Sequence, residues 1–142
     1  MMPFITLIIS LFVLSSYAFG AGDHGDATVE MLIQSDKSWD GRPLPTYPAE
    51  PPQISVIKVT VPPHSKLKWH KHPVINAGYL ISGELVVEAE DGSVHIIKSG
   101  DAIIELVDTF HYGRNEGDTS AEIVVFYAGV KGAPLSIIQE DQ

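Results

Sequence analysis

From Ile54 onward the chain is cut into short alternating segments by turn residues, and no segment there carries the 3.6-residue period of a helix. Ile54, Val56, Lys58 and Thr60 alternate with Ser55, Ile57, Val59 and Val61 until Pro62 and Pro63 stop the run. Residues 67–72, 75–82, 84–90, 94–98, 102–106, 110–115 and 121–128 follow as further strand candidates. Ser82-Gly83 and Asp91-Gly92 read as hairpin turns, because glycine accepts the positive φ that a tight reversal demands; residues 98–101 (Lys-Ser-Gly-Asp) read as another. Seven or eight short strands at this spacing predict an all-β sandwich or barrel.

Three of the six histidines fall on these predicted strands in a pattern that suits a metal ion. Side chains alternate along a strand, so His70 and His72 point to one side and can share an ion; His111, on a later strand, would arrive across the barrel. Three neutral imidazoles bind Fe, Mn, Zn, Ni or Cu at about 2.1 Å and leave coordination positions for water or substrate. His64 follows two prolines in a turn, His95 follows the Asp91-Gly92 turn and His24 lies in the leader region, so these three are expected to be structural.

The order His70-Lys71-His72, Asn76, Gly83 and then Gly100-Asp101, His111, Asn115 resembles the two motifs of the cupin family. The first motif pairs two histidines with a downstream Glu and Gly; here Asn76 stands at the Glu position. The second runs from Gly to His and Asn, and its usual internal Pro and Gly are replaced by Leu106 and Asp108. The resemblance covers residues 67–115. It implies a single-domain jelly-roll barrel with one divalent metal ion at His70, His72 and His111, with Asn76 as a further candidate contact. It leaves the reaction open, since one fold hosts many functions. An amide at position 76 brings no charge, so on this reading the ion keeps its full charge and favours an anionic ligand. Asn76 reads equally well as a structural residue bonding backbone in the barrel wall.

Ahead of the barrel the chain changes character twice. Residues 4–14 are almost unbroken Phe, Ile, Leu and Val, short for a bilayer span and followed by Ser16, Ala18 and Gly20. Residues 1–20 therefore read as a signal peptide cut after Ala18 or Gly20, the alternative being an uncleaved anchor over residues 1–22. Residues 21–53 form a Pro-rich arm, with Pro43, Pro45, Pro48, Pro51 and Pro52 excluding regular structure. Trp39, Leu44 and Tyr47 in that arm need a surface to cover, either their own barrel at 54–142 or a second subunit. With the unpaired edge offered by residues 54–61, the expected assembly is a homodimer, the protein being periplasmic or secreted.

Composition excludes several functions. Net charge is −9, so a nucleic-acid groove or, after signal cleavage, a stable hold on anionic lipid is not expected. Cysteine is absent, which removes disulfides, a thiolate nucleophile and a Cys-ligated zinc site.

Two function classes remain: a metal-dependent oxygenase- or isomerase-type enzyme acting on a small anionic molecule, and a non-catalytic ligand- or metal-binding module of the cell envelope. Beyond the ligands the barrel offers mainly Ile75, Leu80, Leu85, Val87, Ile103 and Val125, a shortage of polar groups that tilts slightly towards the binding module, or towards an oxygenase in which the metal does most of the chemistry. Tyr79, Tyr112 and Tyr127 are assigned to packing. Glu105 and Asp108 flank His111 as candidate bases or supporting partners, Glu105 only if no bulge intervenes, and Lys68 shares the face of His70 unless a bulge exposes it.

Overall fold

Every alternating segment predicted after Gln53 contributes a strand to the computed structural model, which describes residues 25–140. The expected signal peptide at residues 1–20 lies outside the described residues. The chain divides into two units, Met1–Glu30 and Met31–Gln142. Of the first, the described residues are a turn at Gly25 and Asp26 and exposed chain without regular structure. The second holds both the barrel and residues 31–53 of the predicted arm.

Among the described residues there is no α-helix, and ten strands form two antiparallel sheets. In chain order they are β1 (Pro52–Val61), β2 (Ser65–Lys66), β3 (His70–Lys71), β4 (Ile75–Ser82), β5 (Glu84–Ala89), β6 (Val94–Lys98), β7 (Ala102–Ile104), β8 (His111–Asn115), β9 (Ala121–Val130) and β10 (Ile137–Ile138). One sheet runs β1-β9-β4-β7; the other runs β10-β3-β8-β5-β6, with β2 also paired to β8. The two inner faces enclose Val61, Leu80, Ile97, Ile103, Ile123 and Val125, each nearly sealed from solvent. Of the strand expected over residues 67–72 only β3 forms, β2 lying just ahead of that range, with Leu67 between them tied to the Gly113 carbonyl.

Of the motif residues that are not histidines, Gly83, Asp101 and Asn115 hold turns. Gly83 has φ +79°, and a Cβ there would lie 2.8 Å from the Cα of Ala121, so a side chain would clash with backbone as well as strain the turn. Asp101 accepts the Lys98 amide at 2.8 Å, pinning the turn from β6 into β7. The buried Asn115 donates to the carbonyls of Val61 (3.0 Å) and Thr119 (2.8 Å) and accepts from the Gly117 amide (3.0 Å), locking the exit of β8.

Within the second unit, residues 36–44 of the predicted arm lie on the barrel. Trp39 donates its amide to the Ile104 carbonyl (2.9 Å), and the buried Ser38 hydroxyl donates to the Glu105 carbonyl (2.8 Å). Trp39 stacks on His95, and Arg42 reaches Thr109 (2.7 Å) and Asp91 (2.9 Å). Tyr47, by contrast, is exposed.

Candidate metal centre

His70 stands directly opposite His111 across the β3–β8 pair, and facing residues of an antiparallel pair project to one side. Two residues on, His72 turns to the same side, so all three imidazoles are buried together. Their ring centroids lie 4.7 Å (His70–His111), 5.0 Å (His70–His72) and 5.0 Å (His72–His111) apart. One nitrogen from each falls within 4.8 Å of the others, which is the spacing of a group able to hold a metal ion.

Each ring is fixed through Nδ1. The Lys68 carbonyl lies 2.7 Å from that atom of His70, the Leu135 carbonyl 2.8 Å from that of His72, and the Thr109 carbonyl 2.8 Å from that of His111. A carbonyl only accepts, so each Nδ1 carries the proton and donates, leaving the Nε2 lone pair for the interior. Burial pushes all three histidines below their ordinary value of 6.5, His72 to about 4, so the rings are neutral ligands at pH 7.

Two unpaired acceptors meet at the cluster. Among the described residues, the buried side-chain polar atoms without a hydrogen-bond partner are Trp39 Nε1, His111 Nε2, Glu105 Oε2 and Asn76 Oδ1. The last three are acceptors, and Glu105 Oε2 lies 3.5 Å from His111 Nε2. Two lone pairs facing each other in a low-dielectric interior repel unless a cation or a proton lies between them. Burial raises the Glu105 carboxyl from its ordinary 4.5 to about 7, against a weaker opposing pull from His70. The donor set therefore fits a divalent cation.

The histidines open onto a cavity of about 300 Å³, also lined by Ile57, Val59, Leu85, Val87, Ile97, Ile123 and Val125. Of the apolar residues expected there, Leu85 and Val87 of β5 and Val125 of β9 line it, whereas Leu80 and Ile103 lie in the core and are not among its lining residues. Polar groups are more numerous than the sequence suggested. Tyr127, assigned to packing, is buried in the cavity wall with its ring 5.4 Å from His72. Alternation with Ile123 and Val125 was the signal that could have placed it. Its phenol is pushed up to about 12, mainly by burial and next by the Glu105 charge, with Ser136 pulling the other way. Ser136, not anticipated from sequence, lines the cavity and approaches His72 Nδ1 at 3.2 Å. Lys68 is exposed and lines the same cavity.

The remaining described candidates are not among the residues that line this cavity. Asn76 is buried and donates to the Val74 carbonyl (3.1 Å). Asp108 is exposed, with φ +51° and its carboxylate 3.9 Å from Lys71. Tyr79 faces outward, and the Tyr112 hydroxyl donates to Glu88 (2.9 Å). His64 pairs with Asp118 on the surface. His24 lies outside the described residues.

The sequence profile described as "Cupin domain" matches residues 57–127, half of the chain. The chain belongs to the cupin family. Among solved structures, this cupin is similar to an uncharacterized conserved protein with a double-stranded β-helix domain from Klebsiella pneumoniae (23% identity, TM-score 0.54, covering 70% of this chain and 79% of that one). It is also similar to the DMSP lyase DddQ from Ruegeria pomeroyi (17%, TM-score 0.55, 72% and 49%) and to oxalate oxidase (22%, TM-score 0.52, 60% and 45%). The match thus spans less than half the length of either enzyme, and at these identities the likeness is one of fold. No curated protein matches the sequence.

Proposed function

We propose that this cupin is an exported protein whose His70, His72 and His111 hold one divalent metal ion and which binds, and transforms, a small anionic molecule. The observation that carries the reading is the convergence of three Nδ1-anchored imidazoles on one cavity, beside a buried carboxylate. An ion bound there would supply Lewis-acid or redox chemistry to a coordinated substrate. A cavity of about 300 Å³ with mainly apolar walls fits a small ligand. Lys68, exposed and lining that cavity, offers a cation to an approaching anion. Tyr127 keeps its phenolic proton and can donate a hydrogen bond to a bound ligand, while Ser136 contributes a hydroxyl. Enzymes named for oxalate and for DMSP share the fold, which is consistent with a small charged ligand without fixing its identity. These polar groups favour an enzyme over the alternative of a non-catalytic binding module, which would need none of them placed to move a proton.

Protein recovered from the soluble exported fraction should carry close to one metal ion per chain and have an intact mass starting near Phe19 or Ala21. His70→Ala, His72→Ala and His111→Ala should each remove most of that metal, because two imidazoles compete poorly with water for first-row ions. His64→Ala and His95→Ala should leave it unchanged. Elemental analysis showing equal loss in His64→Ala and His70→Ala would overturn the ligand assignment.

A further inference from the structure

The three imidazoles are neutral, so an ion among them would bring two positive charges into a cavity whose remaining walls are mainly apolar. Placing an uncompensated charge in such surroundings costs several kcal/mol. The buried carboxylate nearest the cluster is that of Glu105, and its Oε2 is 3.5 Å from Nε2 of His111 with no hydrogen-bond partner of its own. Two donor atoms each about 2.1 Å from one ion lie roughly 3.0–3.5 Å apart at right or tetrahedral angles, and this pair falls at that spacing. We propose that Glu105 is the anionic ligand of the metal centre.

The fold explains why that carboxylate comes from this position. In the β4–β7 pairing Ala77 faces Ile104, which sets Asn76 opposite Glu105, and the Glu105 amide donates to the Asn76 carbonyl at 3.2 Å. Facing residues share a side, and both side chains are buried. Positions 76 and 105 are therefore two places from which one strand pair can present an oxygen to the same ion, and this chain carries its charge on the second. The backbone of residue 105 is held from outside by Ser38, which donates to its carbonyl, so the side chain is aimed by a fixed main chain.

The inference rests on the metal reading above, and a titration with Co²⁺ separates the two. Loss of an outer partner of a metal ligand costs about 10- to 100-fold in affinity, so loss of a ligand should cost at least that. Wild-type protein should bind one Co²⁺ per chain; Glu105→Gln, close in shape but uncharged, should bind it about 100-fold more weakly, with an altered visible spectrum. The exchange variant Asn76→Glu/Glu105→Gln should recover most of the affinity, because the carboxylate returns on the facing strand. Glu105→Asp keeps the charge with a shorter reach; weaker binding with an altered spectrum supports the ligand role, and unchanged binding opposes it. Wild-type affinity and spectrum in Glu105→Gln would overturn the inference and leave the three-histidine reading intact. Weaker binding with an unaltered spectrum would mean that Glu105 acts through His111, and overturns it too. A wild-type protein that takes up no Co²⁺ would overturn the metal reading itself, and the inference with it.

Discussion

His72 is 4% exposed and keeps its imidazole neutral down to about pH 4, whereas an unfolded chain protonates the same ring near 6.5. Between those values the unfolded state of the metal-free protein binds the extra proton, so stability falls as pH drops from 6.5 towards 4, by about 3 kcal/mol for this ring. Burial moves His70 and His111 in the same direction. Glu105 opposes them: the folded protein holds its proton up to about 7, the unfolded chain releases it near 4.5, and its contribution to stability is lost as pH rises through that window. Glu105→Gln should therefore stabilise the metal-free protein at pH 8 and make its loss of stability between pH 7 and pH 5 steeper than in the wild type. Urea denaturation midpoints at pH 8, 7, 6 and 5 would show this, and parallel profiles for the two proteins would refute it.

At the scale of elements, residues 36–44 form a clasp on the strand that leads to the site. The clasp closes on itself through Ser38 to Arg42 and Leu44 to Asp36, both at 2.9 Å, then grips Ile104 and Glu105 from outside the barrel. Ser38→Ala leaves a buried carbonyl without its donor and should cost about 1–2 kcal/mol. Trp39→Ala removes a half-buried ring stacked on His95 and packed against the core and should cost about 2–3 kcal/mol, while Tyr47→Ala, exposed, should change stability by less than about 0.5 kcal/mol. Thermal unfolding of the three variants would test the order; an effect of Tyr47→Ala as large as that of Trp39→Ala would remove the clasp. What the sequence could show differed by element. Strands were legible because period-2 alternation and glycine turns are local, and the histidine trio because His70 and His72 share a face by alternation alone. Glu105 was legible only as a conditional partner of His111, since its place depends on the register that sets Asn76 opposite it, and register is a pairing between distant segments. Tyr127 is packed in the core as expected, but that it also borders the cavity was not legible: alternation assigns it a side, and which side holds the cavity is decided by how the two sheets close.

For the whole molecule, the informative surface is the outer face of the β1-β9-β4-β7 sheet. Ile54 and Val56 on β1, Phe126 on β9, and Tyr79 and Ile81 on β4 are all substantially exposed there, Ile54 at 66%. Val56, Phe126 and Ala77 lie in one row across three strands, so the apolar groups form a continuous patch, bordered by the Lys58–Glu122 pair at 3.2 Å. Isolated apolar residues on a surface are ordinary, whereas a contiguous row across a sheet marks an interaction site. We propose a second copy of the chain as its occupant. The patch carries little charge to repel its own image, and β1, ten residues long at the sheet edge, invites an isologous pairing rather than an open chain of subunits. Light scattering at micromolar concentration should report twice the chain mass. Phe126→Glu, placed at the centre of the row on an exposed position, should give a folded monomer that still binds metal, because the histidines project into the barrel interior from the other sheet. A wild-type monomer, or a Phe126→Glu protein that remains dimeric, would refute this interface.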